Sequence, residues 1–203
     1  IKIRLAYLYV ETKQNFLAIS LLEQVRKLPD YKQNLEVLQT LMELYRDTVS
    51  KAKFVQFLLS ALNDIKLDAQ LRHRFQTQLL LAYFEQNKCR EFLLEIKEKP
   101  GYLEKSKRIN KEEWQHLQYL KSNCLFETEK WEESRIASRT IIDIKKYREQ
   151  AIQILLESHK KLKDWESITW EFQEIYEREP SLITIPYFQL WLFAAQNRTD
   201  FQR

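Results

Sequence analysis

This chain of 203 residues contains a single glycine, Gly101, and four prolines. These are two of the residue types that most often form tight turns. Tight β-hairpins and loops that cradle phosphate groups depend on glycine, because it reaches left-handed backbone conformations without a steric penalty. Leu, Lys, Glu, Gln and Arg, which are all good helix formers, dominate the sequence. The chain is therefore predicted to be all-α, with helices joined by short turns that lack glycine.

An aromatic residue recurs behind a short polar turn along the whole chain. The five positions are Phe16, Phe54, Phe92, Trp131 and Trp165, and the gaps between them are 38, 38, 39 and 34 residues. Self-similarity at this period is typical of stacked helical hairpins. Each aromatic begins the second helix of a hairpin and can reach back over the turn to the first helix. We therefore expect all five rings to lie in the core.

Apolar residues at helical spacing predict two amphipathic helices in each unit. In the fourth unit, Ile136, Ile141 and Ile142 are expected to point inward from the second helix. The predicted helices cover 2–12, 14–27, 32–46, 51–63, 69–86, 89–98, 111–127, 131–144, 147–162, 164–178 and 185–196. One connector, 99–110, is predicted to be a long loop.

The loop predicted at 99–110 contains Gly101 and a basic cluster, Lys105, Lys107 and Arg108. Two interpretations remain open: an exposed elaboration with a binding role, or a solvated insert.

The fourth unit resembles the tetratricopeptide repeat (TPR) family. That family places a small residue at position eight of a unit, an aromatic residue nine positions later and another small residue three positions after that. Ser122, Trp131 and Ser134 match this pattern. The fifth unit matches it in spacing, with larger residues at the small positions. The first three units depart further, because tyrosines (Tyr7, Tyr45 and Tyr83) stand where the family has a small residue.

The resemblance implies a right-handed superhelix, or solenoid, of about five antiparallel helix hairpins plus a C-terminal helix. We expect a single array over 1–203, cut from a longer chain. Its units are predicted at about 1–29, 31–66, 67–100, 111–145 and 146–180, with a terminal helix at 183–197.

The resemblance also implies that positions two, five, nine and twelve of a unit face a concave groove that binds a partner peptide or helix. These positions fall on Gln39, Met42, Arg46 and Val49, on His116, Tyr119, Asn123 and Phe126, and on Gln150, Gln153, Glu157 and Lys160. The candidate binding residues are Gln39, Arg46, His116, Tyr119, Asn123, Gln153 and Lys160. Asn123 could bridge a peptide backbone, while Arg46 and Lys160 could hold a carboxylate.

A protein-interaction scaffold within a larger assembly is therefore the first functional hypothesis. A second is an RNA-processing repeat, because the stretch 174–196 resembles half-a-TPR repeats, which pair a YER run with a downstream LW. A third is a regulatory domain that senses a peptide. The charge, 33 basic against 29 acidic residues, is mixed and does not favour nucleic acid.

The sequence lacks the residue patterns of nucleotide-binding loops and of metal sites. One glycine cannot build a nucleotide-binding loop. The three histidines, His73, His116 and His159, lie on different hairpins without the partner spacing of a metal site. We predict no enzyme activity, metal or cofactor.

Cys89 and Cys124 are isolated in the sequence and are predicted to be buried free thiols, which favours a reducing, intracellular and cytoplasmic setting. No apolar run approaches the ~18 residues of a membrane span. The apolar stretch from Ile183 to Ala195 is predicted to pack on a further unit or on a partner protein.

Overall fold

The computed structural model describes residues 1–31, 34–64, 67–99 and 101–198, and in these ranges the regular structure is entirely helical. The all-α prediction is thus confirmed. The chain divides into two compact units, Ile1–Lys88 and Cys89–Arg203. The predicted helix start at residue 32 and the predicted unit ends at residues 66 and 100 lie outside the described residues.

Within the described residues, the first compact unit contains five α-helices in which sequential neighbours pack against each other. They are α1 (Lys2–Glu11), α2 (Asn15–Arg26), α3 (Leu35–Thr48), α4 (Lys51–Asp64) and α5 (Ala69–Glu85).

The second compact unit contains α6 (Cys89–Glu98), α7 (Tyr102–Ile109), α8 (Lys111–Glu127), α9 (Trp131–Arg139), α10 (Arg148–Leu162), α11 (Trp165–Arg178) and α12 (Ile185–Asn197). Here α8 packs against α6, α7, α9 and α10, and α11 packs against α10 and α12. Among the described residues, no helix has both the length and the apolar character needed to cross a membrane.

Four turns between consecutive helices have the same backbone geometry, although none of them contains glycine. Lys13, Asn87, Glu129 and Lys163 all have φ between 55° and 61°, in the left-handed region. The amide of the following residue then bonds to a carbonyl five residues back, as from Asp164 to His159 (3.0 Å). This is the hydrogen-bond pattern of a helix C-terminus that normally uses glycine. The predicted turns without glycine are therefore present. In each of them a residue with a side chain adopts the left-handed backbone conformation, which is sterically unfavourable.

Side-chain caps fix several helix starts. Asn34, Asp68, Asn110 and Asp164 each accept a hydrogen bond from a backbone amide in the first turn of the following helix. Such a cap satisfies an amide that has no partner within the helix.

The predicted loop at 99–110 is wrong, because residues 102–109 form α7. Gly101, with φ of 81°, makes the left-handed turn before this helix. Tyr102, Leu103 and Ser106 are buried at helical spacing, and α7 packs against α8. The segment was predicted to be a loop because it contains a glycine and many polar residues, but it forms a short amphipathic helix. Lys107 lies over the ring of Trp114, 4.9 Å from its centroid, whereas the side chain of Lys105 lies outside the described residues.

The second helix of the fourth unit ends at Arg139, whereas the prediction extended it to residue 144. Three successive β-branched residues, Thr140 to Ile142, have lower helix propensity, and the Thr140 hydroxyl bonds to the carbonyl of Ala137 at 2.7 Å. Ile141 is buried and Ile142 is half-buried, as predicted. Ile136 is 63% exposed, so its predicted inward position is wrong.

The recurring aromatics divide into three groups. Phe54 and Phe92 are buried, while Trp131 and Trp165 are half-buried. Phe16 is 70% exposed, so its predicted core position is wrong, and Ala18 and Ile19 are the buried residues at this point of α2. Period alone does not decide which side of a helix faces the core.

The prediction of free thiols is also wrong, because Cys89 and Cys124 form a disulfide that joins the start of α6 to α8. Their separation of 35 residues is about one repeat, so the packing of α6 on α8 brings together two cysteines that are isolated in the sequence. The cysteines therefore give no support to a reducing compartment.

Candidate functional site

The four groove positions predicted in α8 share one side of that helix. His116, Tyr119, Asn123 and Phe126 are separated by three, four and three residues, which places them on one face, and all four are partly exposed. The apolar residues between them are buried: Leu117, Leu120, Cys124 and Leu125. One side of α8 therefore presents rings and an amide, and the other contributes to the core.

Tyr147, the residue before α10, connects this side of α8 to α10. Its ring stacks on that of Tyr119, with centroids 4.8 Å apart and an interplanar angle of 12°. The ring of His116 lies 5.9 Å from that of Tyr147, and its Nδ1 is 3.1 Å from the Tyr147 hydroxyl. Because Tyr147 is buried, the three rings form a fixed platform.

The charge at this platform is low. Burial, followed by the positive charge of Lys146, lowers the pKa of His116 below its ordinary value, so the imidazole is neutral at pH 7. Lys146 Nζ lies 5.2 Å from the centroid of the Tyr147 ring, within cation–π range. The platform is thus a neutral aromatic surface with one ammonium group beside it.

Asn123 and Phe126 extend the same side of α8. The amide nitrogen of Asn123 donates to the carbonyl oxygen of Tyr119 at 3.3 Å. A second N–H and the side-chain oxygen of Asn123 can still bond to a ligand. One turn later, Phe126 meets Trp131 edge to face, with centroids 4.9 Å apart.

The predicted positions in α10 are more polar. Gln153 and Lys160 are exposed, and Lys160 Nζ lies 3.4 Å from both carboxylate oxygens of Glu157. Tyr187 of α12 lines a small cavity together with Glu149 and Ile152 of α10. Burial, together with the negative charges of Glu149 and Glu157, raises the pKa of Tyr187. We call the surface formed by His116, Tyr119, Asn123 and Tyr147, together with the predicted groove residue Gln153 on the exposed side of α10, the α8/α10 face.

Gln39 and Arg46 belong to the first compact unit, which is described by itself. Gln39 Nε2 donates to Glu43 at 3.4 Å, and Glu43 also meets Arg74 of α5 at 3.5 Å. Arg46 is exposed and pairs with Asp47 at 2.8 Å.

Met42, which the repeat positions predicted to face the groove, is 1% exposed and belongs to the core, so that prediction is wrong.

Sequence reasoning missed Tyr147, which holds the platform together, and also Lys146 and Tyr187. No periodic signal marks Tyr147, because the residue 34 positions earlier is Glu113. The contact between Tyr147 and Tyr119 depends on how the segment before α10 packs against α8. The spacing of the repeats does not specify this packing.

A cavity of about 530 Å³ lies between α9, α10 and α11. It is lined by three arginines, Arg139, Arg148 and Arg178, by four acidic residues, Asp143, Glu171, Glu174 and Glu179, and by four apolar residues, Ile142, Ile152, Ile175 and Leu182. Arg139 donates two hydrogen bonds of 2.8 Å to Glu171, Arg148 pairs with Glu179, and Arg178 lies 3.3 Å from Asp143. These pairs connect α11 to its neighbours, so each of the three arginines is compensated by a carboxylate.

Glu171 is the buried acid of this network. Burial alone would raise its pKa, but the interactions with His159 and Arg139 outweigh that effect and lower it. His159 Nε2 lies 3.7 Å from Glu171 Oε1, which is an electrostatic contact beyond hydrogen-bond length. Its Nδ1 lies 3.3 Å from Asp164, the cap of α11. Within the described residues, no group of three or more His, Cys, Asp or Glu could hold a metal ion.

No family model and no curated protein matches the sequence. Solved structures do match it. One structure of MamA AMB-1 has a TM-score of 0.57 at 16% identity and covers 87% of this chain and 95% of its own. Another has a TM-score of 0.56 at 14% identity, over 98% and 92% of the two chains.

A third match is described as a putative kinesin light chain of Podosopora anserina with nearly identical TPR-like repeats. It has a TM-score of 0.53 at 16% identity, over 89% of this chain and 92% of its own. The fold is a TPR-like helical repeat. At these identities the likeness shows the fold alone.

Proposed function

We propose that this chain is a protein-interaction module that binds an extended peptide or a helix of a partner protein on the α8/α10 face. The stack of His116, Tyr119 and Tyr147 is the observation that carries the proposal. Fixed rings offer a large contact area at low cost in conformational entropy, and nearby amides can bond to a peptide backbone. TPR-like neighbours support a scaffold role of this kind.

The ligand that fits this face places an aromatic or proline side chain on the ring platform, because flat apolar groups stack well on tyrosine. Its backbone bonds to the side chains of Asn123 and Gln153. Lys160 then exchanges Glu157 for a carboxylate of the ligand. Gln39 and Arg46 form a second contact region in the first compact unit, where Arg46 exchanges Asp47 for an acidic group.

RNA binding is not proposed. Arg139, Arg148 and Arg178 are each paired with a carboxylate of the same unit. The chain as a whole is mixed in charge, with 33 basic against 29 acidic residues, which does not favour binding to phosphates.

Selection from a random peptide display library tests the proposal without a known partner. The immobilised chain is expected to enrich peptides that lose at least about tenfold in affinity when Tyr119, Asn123 and Gln153 are all replaced by alanine, since contacts in the centre of an interface typically cost more than 1 kcal/mol. Tyr176→Ala, a change at an exposed tyrosine of α11, is the matched control. Peptides that bind the triple variant as tightly as the wild type would contradict the proposal.

A further inference from the structure

A groove of about 240 Å³ lies between α9 and α11. Its walls include Ile136 and Arg139 of α9 and Trp170 and Glu171 of α11, and His159 of α10 also lines it. We call it the α9/α11 groove. Leu155 of α10, which lines the same groove, is rotated by about 200° around its helix from the exposed Gln153. The groove and the α8/α10 face therefore use different sides of α10.

Trp170 is an exposed aromatic residue that a neighbouring arginine holds in position. The guanidinium carbon of Arg139 lies 4.4 Å from the centroid of the Trp170 ring, and Arg139 is in turn fixed by two hydrogen bonds to Glu171. Trp170 is nevertheless 49% exposed, and Ile136 on the opposite wall is 63% exposed. Tryptophan is among the residues most enriched at the centres of protein interfaces. The groove thus offers a positioned ring and an aliphatic side chain to a ligand.

The charge around the α9/α11 groove selects a cationic ligand. Each of the two arginines beside it contacts two carboxylates. Arg135 contacts Glu132 at 2.7 Å and Asp164 at 3.4 Å, and Arg139 contacts Glu171 at 2.8 Å and Glu174 at 3.3 Å. Four negative charges therefore surround two positive ones. An anionic ligand would be repelled, whereas a cation is attracted.

His159 provides an independent observation that points to a hydrogen-bond donor in the groove. It is 3% exposed, and its Nδ1 lies 3.3 Å from Asp164. Its Nε2 is buried and has no hydrogen-bond partner among the described residues, because Glu171 Oε1 is 3.7 Å away. When Nδ1 donates its proton to Asp164, Nε2 of the neutral ring is an acceptor. An N–H donor beside Glu171 can therefore bond to both the carboxylate and this nitrogen.

We propose that the α9/α11 groove binds an arginine side chain in a basic segment of a partner protein. The planar guanidinium lies against Trp170, as that of Arg139 does, and its fork of donors bonds to Glu171 and His159. The aliphatic stem packs against Ile136. A carboxylate has lone pairs for about four hydrogen bonds, so Glu171 can accept more than the two from Arg139.

The remaining basic residues of the partner segment meet Glu166 and Glu177. These glutamates lie four residues before and seven residues after Trp170, which places them on the same side of α11. Both are exposed, and neither has an ion pair within the part of the chain that the structure describes. The site is separate from the α8/α10 face, where Lys160 favours the opposite charge, so neither proposal depends on the other.

Fluorescence anisotropy with labelled nona-arginine tests the proposal, and nona-citrulline serves as the uncharged counterpart of the same shape. The wild-type chain is expected to bind nona-arginine at least about tenfold more tightly than nona-citrulline, and less tightly as salt is added. Trp170→Ala removes the ring and is expected to weaken the binding of nona-arginine by about tenfold. Glu166→Gln with Glu177→Gln is expected to weaken it by about threefold or more.

Glu91→Gln with Glu98→Gln is the matched control, because it removes two exposed carboxylates from α6. This variant is expected to bind nona-arginine as the wild type does, and circular dichroism checks that each variant folds. Equal binding of nona-arginine and nona-citrulline by the wild type overturns the proposal. Groove variants that bind nona-arginine as tightly as the α6 control also overturn it, since binding would then depend on overall charge.

The indole N–H signals in NMR spectra locate the bound peptide directly. The signal of Trp170, assigned by its absence in Trp170→Phe, is expected to shift as nona-arginine is added. The signal of Trp114 in α8, whose ring lies 4.9 Å from Lys107 Nζ, is expected to stay unchanged. A shift at Trp114 with none at Trp170 would place the peptide outside the groove and overturn the proposal.

Discussion

Tyr119 and Tyr147 stack with their ring centroids 4.8 Å apart, and this contact joins the exposed side of α8 to the residue that begins α10. Tyr119→Ala removes the stack and is expected to lower the free energy of unfolding by about 1–2 kcal/mol, from lost apolar burial and lost ring contact. Tyr119→Phe keeps the ring and is expected to stay close to wild type. Urea unfolding measures both; equal losses for the two variants would show that the stack contributes nothing.

The lowered pKa values of Glu171 and Asp164 predict loss of stability in acid. Burial opposes both shifts, but His159 and Arg139 lower the pKa of Glu171, and Ser167 and His159 lower that of Asp164. Since the folded state binds these protons more weakly than the unfolded state, their contribution is complete above the ordinary values of 4.5 and 3.8. It is lost as the pH falls through the lowered values.

Unfolding free energies between pH 6 and pH 2 measure this effect. Glu171→Gln cannot titrate, so its stability is expected to fall less steeply below pH 4.5 than that of wild type. An identical pH dependence in the two proteins would show that Glu171 is not responsible.

The left-handed turn residues predict a stabilising substitution. Lys163 has φ of 57° at the turn between α10 and α11, a conformation that costs a residue with a side chain roughly 1 kcal/mol. Lys163→Gly is therefore expected to raise the free energy of unfolding by about 0.5–1 kcal/mol. Lys160→Gly, three residues earlier inside α10, is expected to lower it by about 1 kcal/mol. Thermal unfolding compares the two, and a loss of stability in both variants would contradict the argument.

The disulfide predicts a dependence of stability on reducing agent. Cys89 and Cys124 close a loop of 35 residues, for which chain entropy predicts a stabilisation of about 2–4 kcal/mol. Wild type is expected to lose this amount in dithiothreitol. A variant with Cys89→Ser and Cys124→Ala is expected to have the lower free energy of unfolding with or without dithiothreitol. Equal free energies of unfolding for oxidised and reduced wild type would show that the disulfide does not stabilise the fold.

Periodicity predicted the helices well where one side of the helix is continuously apolar. α8 has its predicted limits, and α10 and α11 each begin one residue later than predicted. α7 and the end of α9 were not predicted, because one is shorter than a typical helix and the other ends in a β-branched run within an apolar pattern. Local sequence sets these limits only together with the packing around them.

The candidate site was predictable in α8 and much less so elsewhere. The three-and-four spacing places His116, Tyr119 and Asn123 together on any helix. Tyr147 and the cysteine pair depend on contacts between consecutive units, about which one sequence carries no local signal. Phe16 shows the converse, since it has the expected residue type at the expected period and still lies on the surface.

The most direct test of the central claim, peptide recognition on the α8/α10 face, is an NMR titration of side-chain amide signals with a selected peptide. The signals of Asn123 and Gln153 are expected to shift as the peptide is added. The signal of Gln173, an exposed amide on α11 that bonds to Glu177 at 2.9 Å, is expected to stay unchanged. A shift at Gln173 with none at Asn123 and Gln153 would place the peptide elsewhere and contradict the account.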